Sequence, residues 1–218
     1  MLESMHTRSL ALPLILGLVL APLAQALEAA DWKGYAARQR QSRKAGKLRG
    51  LPQEELSADM YALTQEICEA AGLPAYEVSN HARGVAARSV HNLHVWRGGV
   101  YLGIGPGAHG RLTLDGVRTA TVAHRGVADY VAGVGAGTPW AERTALSPVE
   151  AAEEKVLLGL RTVEGVPLAV LAELQMSPAG GRLADLIADD FLTLSDGRVA
   201  ATARGRPVLD GVLKSLLT

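Results

Sequence analysis

The order of apolar and polar positions divides the chain into stretches of unlike character. From Ser9 to Leu27 apolar residues run almost unbroken, with Leu10-Ala11-Leu12-Pro13-Leu14-Ile15-Leu16-Gly17-Leu18-Val19-Leu20 at the centre. His6 and Arg8 precede this run, and Ala24-Gln25-Ala26 follows it in a small-x-small pattern. A polar start, a short apolar centre and small residues at the exit read as a secretory signal peptide. Pro13 and Pro22 interrupt the run as a membrane-spanning helix. A buried strand or helix, or a wrongly assigned gene start, gives the same pattern. From Trp32 to Gly50 the pattern turns basic, with Lys33, Arg38, Arg40, Arg43, Lys44, Lys47 and Arg49 beside the one acid, Asp31. Such a run reads as a solvated linker or helix face in preference to a phosphate or lipid contact.

Beyond it the periodicity becomes that of a folded domain. Leu56, Met60, Leu63 and Ile67 recur at helical spacing between Pro52 and Ala71, with Gly72 as a stop, and predict an amphipathic helix. Ala75 to Val78 reads as a short strand, followed by a polar loop from Ser79 to His94. Val100 to Gly105 reads as a second strand running into the glycines of 103–110. Asp115-Gly116 between alternating apolar residues predicts a hairpin, and a helix is expected near Val127 to Val134. Ser147-Pro148-Val149-Glu150 has the form of a capping box opening a helix to about Arg161. A helix after Pro167, another from Gly181 to Asp190, a hairpin about Ser195-Asp196-Gly197, and a last helix capped by Thr202 complete the chain. Helix, helix, hairpin, helix resembles a winged-helix module.

Composition narrows the chemistry. The 218 residues are 48% apolar but only 4% aromatic, so Leu, Val and Ala must fill the core. Lys plus Arg equals Asp plus Glu at 22 each, which gives no global attraction to nucleic acid or acidic lipid. Pro148 to Thr218 holds seven basic against ten acidic residues, so the winged-helix-like part lacks the basic face that phosphate binding needs, and no nucleic-acid partner is expected. The one cysteine, Cys68, excludes an intrachain disulfide framework and any site built on several thiolates of this chain.

Two constellations could carry chemistry. Gly103-Ile104-Gly105-Pro106-Gly107-Ala108-His109-Gly110 loosely fits a dinucleotide fingerprint, but a hairpin follows where that fingerprint requires a helix. Glycines there still let backbone approach a ligand, or form a tight turn. The second is Ser89-Val90-His91-Asn92-Leu93-His94-Val95-Trp96, where an imidazole can ligate iron and an indole can stack on a planar ring. With His81 and His109 nearby, these histidines show no recognised zinc spacing. No nucleophile elbow and no His-Asp pair is recognisable.

Three motifs in order carry a family resemblance: Tyr76-Glu77-Val78-Ser79-Asn80-His81-Ala82-Arg83, His91-Asn92-Leu93-His94-Val95-Trp96-Arg97-Gly98-Gly99, and Tyr101 to Gly110. From about Lys47 to Thr218 the chain resembles the C-terminal half of HemW-type heme chaperones. These are the radical S-adenosylmethionine proteins similar to oxygen-independent coproporphyrinogen III oxidase. The resemblance implies an α/β fold, the end of an incomplete radical-SAM (β/α) barrel over 47–146, then a small winged-helix-like C-terminal domain over 147–218. It implies heme as partner, with His91, Asn92 and Trp96 at the heme and His91 as the axial ligand to its iron. Val95 stands where the family motif has a tyrosine. The resemblance also implies Gly105, Gly107 and His109 near S-adenosylmethionine. The family's four-iron cluster is held by a cysteine triad that this sequence lacks, so activity of the chain alone is not expected. Residues 1–46 do not match the family, and truncation or a shifted reading frame is the expectation. An oxidase-like enzyme of porphyrin biosynthesis completed by a second chain, and a secreted or anchored binding module, are the alternatives. Membrane-associated heme-accepting proteins are implied as recipients, and a cytoplasmic location unless the apolar run is a genuine export signal.

Overall fold

Glu54 to Thr218 are the residues that the computed structural model describes; the signal-like run and the basic stretch lie outside them. Helix α1 (Glu54–Ala70) forms where the periodicity predicts it, but Leu56 and Leu63 of the expected apolar stripe are exposed. Gly72, at φ 73°, ends it in the left-handed conformation that favours glycine. Cys68 lies buried near the C-terminal end of α1.

The expected strands at 75–78 and 100–105 do not form ladders. Ala75 bridges His81, Glu77 bridges Thr162 and Tyr101 bridges Arg111, each as an isolated pair. In the first case the chain turns back at once, the Tyr76 amide donating to the Asn80 carbonyl. In the second, glycines supply no side chains to pack against a neighbouring strand. The loop expected from Ser79 to His94 instead contains helix α2 (Val90–Trp96). Ser89 caps it, its hydroxyl accepting from the Asn92 amide at 3.2 Å.

Strands β1 (His109–Leu114), β2 (Val117–Ala123) and β3 (Trp140–Ala145) form an antiparallel sheet in that order. Leu114 pairs with Val117 across Asp115-Gly116. Those two residues have φ of 52° and 79°, the pair of positive angles a type I′ turn requires. Helix α3 (Val127–Gly135) connects β2 to β3. β3 was not foreseen: its residues are nearly all exposed, so no apolar alternation marks it.

The second sheet belongs to the C-terminal part. Helix α4 (Pro148–Gly159) opens with the predicted capping box, the Ser147 hydroxyl accepting from the Glu150 amide and the Glu150 carboxylate from the Ser147 amide. There follow β4 (Val166–Pro167), α5 (Leu168–Glu173), α6 (Gly181–Ala188), β5 (Leu192–Ser195), β6 (Arg198–Ala201) and α7 (Leu209–Leu217). The strands pair antiparallel in the order β4-β6-β5, with a second Asp-Gly turn at φ 52° and 69°. Thr202 does not cap α7. Its hydroxyl accepts from the Gly205 amide, and a 3₁₀ turn at Arg206–Val208 comes before the helix.

The principal core lies here. Ala152 and Val156 from α4 and Leu160 at its C-cap meet Leu171 from α5, Leu183 and Leu186 from α6, and Leu209, Val212, Leu213 and Leu216 from α7. These positions recur every three or four residues, so each helix turns one apolar stripe inward. The middle part, 54–145, has a smaller apolar cluster of Tyr76, Ala82 and Leu93. The architecture is mixed α/β. Among the described residues no helix is long and apolar enough to cross a membrane.

Candidate functional site

Helix α2 and its two flanks gather the polar chemistry of the middle part. Tyr76, itself buried, fixes the start of the helix because its hydroxyl accepts from the Ser89 amide at 3.1 Å. Leu93 and Trp96 point inward, and Trp96 is only 2% exposed. The Arg161 guanidinium lies 6.0 Å from the centre of the Trp96 ring, from the end of α4. The opposite side of the helix faces solvent and carries His91 and His94.

The two histidines are held differently. The His94 Nε2 donates to the Val100 carbonyl at 2.7 Å, and its ring lies so close over Gly99 that a Cβ there would come within 2.4 Å of it. His94 is thereby committed to closing the turn after α2. His91 is exposed at the other end of the helix, with Val90 at 82% and Val85 at 75% exposure just before it in the chain. Among the described residues no side-chain contact holds the His91 imidazole in place of a ligand; it is open to solvent. Asn92 is half-buried, one turn from Trp96.

The structure separates the histidines that the sequence places close together. His81 is tied to α1 by a 3.2 Å contact between its Nε2 and the Gln65 Oε1, and burial lowers its pKa. His109 begins β1, half-buried. Among the described residues no three His, Cys, Asp or Glu side chains are grouped to hold a metal ion.

The glycine loop is built by close internal contact. A Cβ on Gly103 would lie 2.3 Å from the His109 carbonyl oxygen, and one on Gly110 would lie 2.6 Å from the Thr121 hydroxyl. Gly105 and Gly107 have φ of 109° and 71°. Their amides donate to the Tyr130 hydroxyl and the His124 carbonyl respectively. The loop therefore offers bare Cα surface in place of amide donors.

Sequence reasoning missed two features beside the helix. Glu77, 3% exposed, accepts from the Ser79 amide and hydroxyl and from the Asn80 side-chain amide. Its spacing to Ser79 and Asn80 was a readable signal, since donors two and three residues on commonly return to a carboxylate. The second is Glu164, whose carboxylate accepts from Arg97 Nε at 2.9 Å and Nη2 at 2.6 Å. Arg88 approaches the same carboxylate at 4.0 Å. The partners lie 67 residues apart in sequence, and no local pattern announces them.

Comparison with known proteins places this geometry. Residues 146–208 match the model of the HemN C-terminal domain. The chain is 34% identical over 189 residues to the mitochondrial radical S-adenosyl methionine domain-containing protein 1 of Danio rerio, covering 79% of this chain and 41% of that one. It is 36% identical over 168 residues to the heme chaperone HemW of Mycobacterium tuberculosis (strain ATCC 25618 / H37Rv), covering 76% of this chain and 40% of the relative. Over most of its described length the chain is thus similar to the C-terminal part of HemN and HemW proteins, and residues 146–208 carry the HemN C-terminal domain. Among solved structures, coproporphyrinogen III oxidase (HemN) from Escherichia coli, titled a radical SAM enzyme, matches with a TM-score of 0.55 at 16% identity. That match covers 77% of this chain and 42% of the other, and at this identity it speaks for the fold. The chain thus spans about two fifths of the length of the curated relatives it matches. In the HemN and HemW family frame, α2 and the glycine loop lie ahead of the matched domain, and α4 opens it.

Proposed function

We propose that this chain is a heme-binding member of the HemW branch, in which His91 supplies the axial ligand to the iron. The observation that carries the reading is the exposed imidazole on a helix whose other face is locked by Trp96, Leu93 and Tyr76. Heme supplies a Lewis-acidic iron in a flat apolar ring. The residues present suit it: His91 as nitrogen donor, Val85 and Val90 as apolar neighbours, and Arg97 for negative charge. Trp96, buried under Arg161, acts here as a positioning residue that fixes the direction of His91 and does not stack on the ring. Asn92 is assigned a polar contact at the rim. Val95 supplies no hydroxyl where the family motif has one.

The openness of the site favours transfer over storage. His91 sits on a surface helix, and two clefts of about 370 and 470 Å³ lie elsewhere, beside Gln175, Met176 and Leu216. A carrier that hands its cargo to heme-accepting proteins, membrane-associated ones included, needs such an accessible ligand. Contact of Gly105, Gly107 and His109 with S-adenosylmethionine belongs to the same reading, through Cα surface and the His109 ring. The four-iron cluster does not fit this chain. Its one cysteine, Cys68, is buried on α1. No step of the proposal passes through that cluster.

The test is spectroscopic. Heme titrated into the wild-type chain is expected to give a shifted Soret band that His91→Ala loses, with the far-UV circular dichroism unchanged. Identical Soret spectra for the two proteins would remove His91 as the ligand.

A further inference from the structure

We propose that the guanidinium cluster around Glu164 receives the propionate carboxylates of the heme bound at His91. The inference rests on the heme-binding reading and adds a second, anionic recognition element to it.

Three arginines converge on one acidic residue. Arg97 forks onto the Glu164 carboxylate, and Arg88 lies 4.0 Å from it. Arg198 donates from Nε to the Glu164 carbonyl at 2.7 Å and from Nη2 to the Gly165 carbonyl at 2.8 Å. Three guanidiniums against one carboxylate leave a local excess of two positive charges. That excess stands against its surroundings, because residues 54–218 carry fourteen basic and nineteen acidic side chains. A second cluster repeats the sign nearby. Arg111 and Arg118 share Glu154, and Arg118 also donates to the Gly98 carbonyl at the end of α2.

Along the sequence Arg88 and Arg97 flank His91. Arg88 precedes it by three residues and Arg97 follows it by six, about 9 Å along a helix axis. Both guanidiniums reach Glu164 Oε1, so both ends of α2 turn positive charge toward one spot. Arg97 is the accessible member, its side chain 55% exposed, whereas Arg88 stacks over Tyr76 at 5.7 Å. Arg97 is already oriented in the fork geometry that matches a carboxylate, so a propionate can take the place of Glu164 without rebuilding the site. In this exchange Glu164 holds Arg97 in place until the cargo arrives.

The experiment compares heme with heme dimethyl ester, whose propionates are neutral, by Soret titration of the wild type, Arg97→Ala and Glu164→Gln. The wild type is expected to bind the free acid about tenfold more tightly than the diester, the size of one charge-assisted contact at a half-exposed site. Arg97→Ala should lose that preference. Glu164→Gln, which removes the competing carboxylate, should keep or widen it; a purely structural role for the pair predicts weaker binding of both ligands instead. Equal wild-type affinity for acid and diester overturns the propionate assignment while leaving His91 ligation standing. No Soret shift with either ligand overturns both. If Arg97→Ala fails to fold, the wild-type and Glu164→Gln titrations still decide.

Discussion

The middle and C-terminal parts of this chain are held together by different physics. The C-terminal part has a continuous apolar core drawn from four helices and three strands, with Val156, Leu171 and Val199 wholly buried. The middle part has three buried apolar residues in its cluster and is otherwise fixed by directed contacts: the Tyr76 hydroxyl on Ser89, Glu77 on its own turn, and Arg111 and Arg118 on Glu154. Area-driven burial tolerates sequence change so long as volume is kept, whereas a directed network fails when one partner leaves. The region that presents His91 is therefore the region that trades apolar area for geometry. On the heme-binding function proposed above, a site that holds an imidazole outward and exchanges a cargo has reason to be built that way.

The largest effect should come from the apolar side of this contrast. Leu171→Ala removes a fully buried side chain of α5 from the C-terminal core, where α5 packs on α4 and β4, and is expected to cost about 2–5 kcal/mol. Urea unfolding followed by far-UV circular dichroism measures it. A loss under about 1 kcal/mol would mean that the C-terminal core relaxes to fill the space, and would weaken the contrast.

Next in size is Glu154→Gln. The side chains of Arg111, Arg118 and Glu154 are 11%, 13% and 17% exposed, so the substitution leaves two guanidiniums facing a neutral amide in a mostly buried place. A fully buried pair broken this way costs about 3–5 kcal/mol; partial solvent access brings the expectation to about 2–3 kcal/mol. The loss should be local. Hydrogen exchange should rise in α2 and β1 to β3 while the amides of α5 to α7 keep their protection. Uniform deprotection of both parts would show that they unfold as one unit and that their physics is shared.

The same contrast explains what the sequence revealed. Stripes such as Ala152, Val156, Leu160 and the capping box at Ser147 to Glu150 are local patterns with local causes, and the helices appear where they predict. Both Asp-Gly turns were readable for the same reason, since few residues accept two successive positive φ angles. Helix α2 was hidden because its seven residues present only Leu93 and Trp96 to the interior, too few to show a period. β3 was hidden because it lies exposed at a sheet edge. The histidines grouped in sequence scatter in space, His81 toward α1 and His94 toward Val100, because proximity along the chain does not fix direction. The guanidinium cluster on Glu164 depends wholly on tertiary folding. The family motif carried His91 to notice, but only the structure shows Arg88, Arg97 and Arg198 gathered at Glu164.

The smallest expected effect tests whether that charge is held by geometry. The Glu164 carboxyl is lowered below its ordinary 4.5, first by the hydrogen bond from Arg97, with the charges of Arg97, Arg198 and Arg88 adding and burial opposing. A carboxyl depressed in the folded state contributes stability that is complete above its unfolded value and is lost as pH falls through its folded value. The window therefore opens near pH 4.5 and extends downward. Because Arg97 is more than half exposed, solvent screens the pair, and its contribution is about 0.2–1 kcal/mol. Urea midpoints of the wild type and Arg97→Ala, compared from pH 7 to pH 3, should differ most at neutral pH and converge below pH 4.5. They should also converge at neutral pH in 1 M salt, where the screening length falls to about 3 Å. A difference that stays constant across pH and salt would mean that Arg97 stabilises through its aliphatic stem, and the middle part would then depend on apolar contact more than its directed bonds imply.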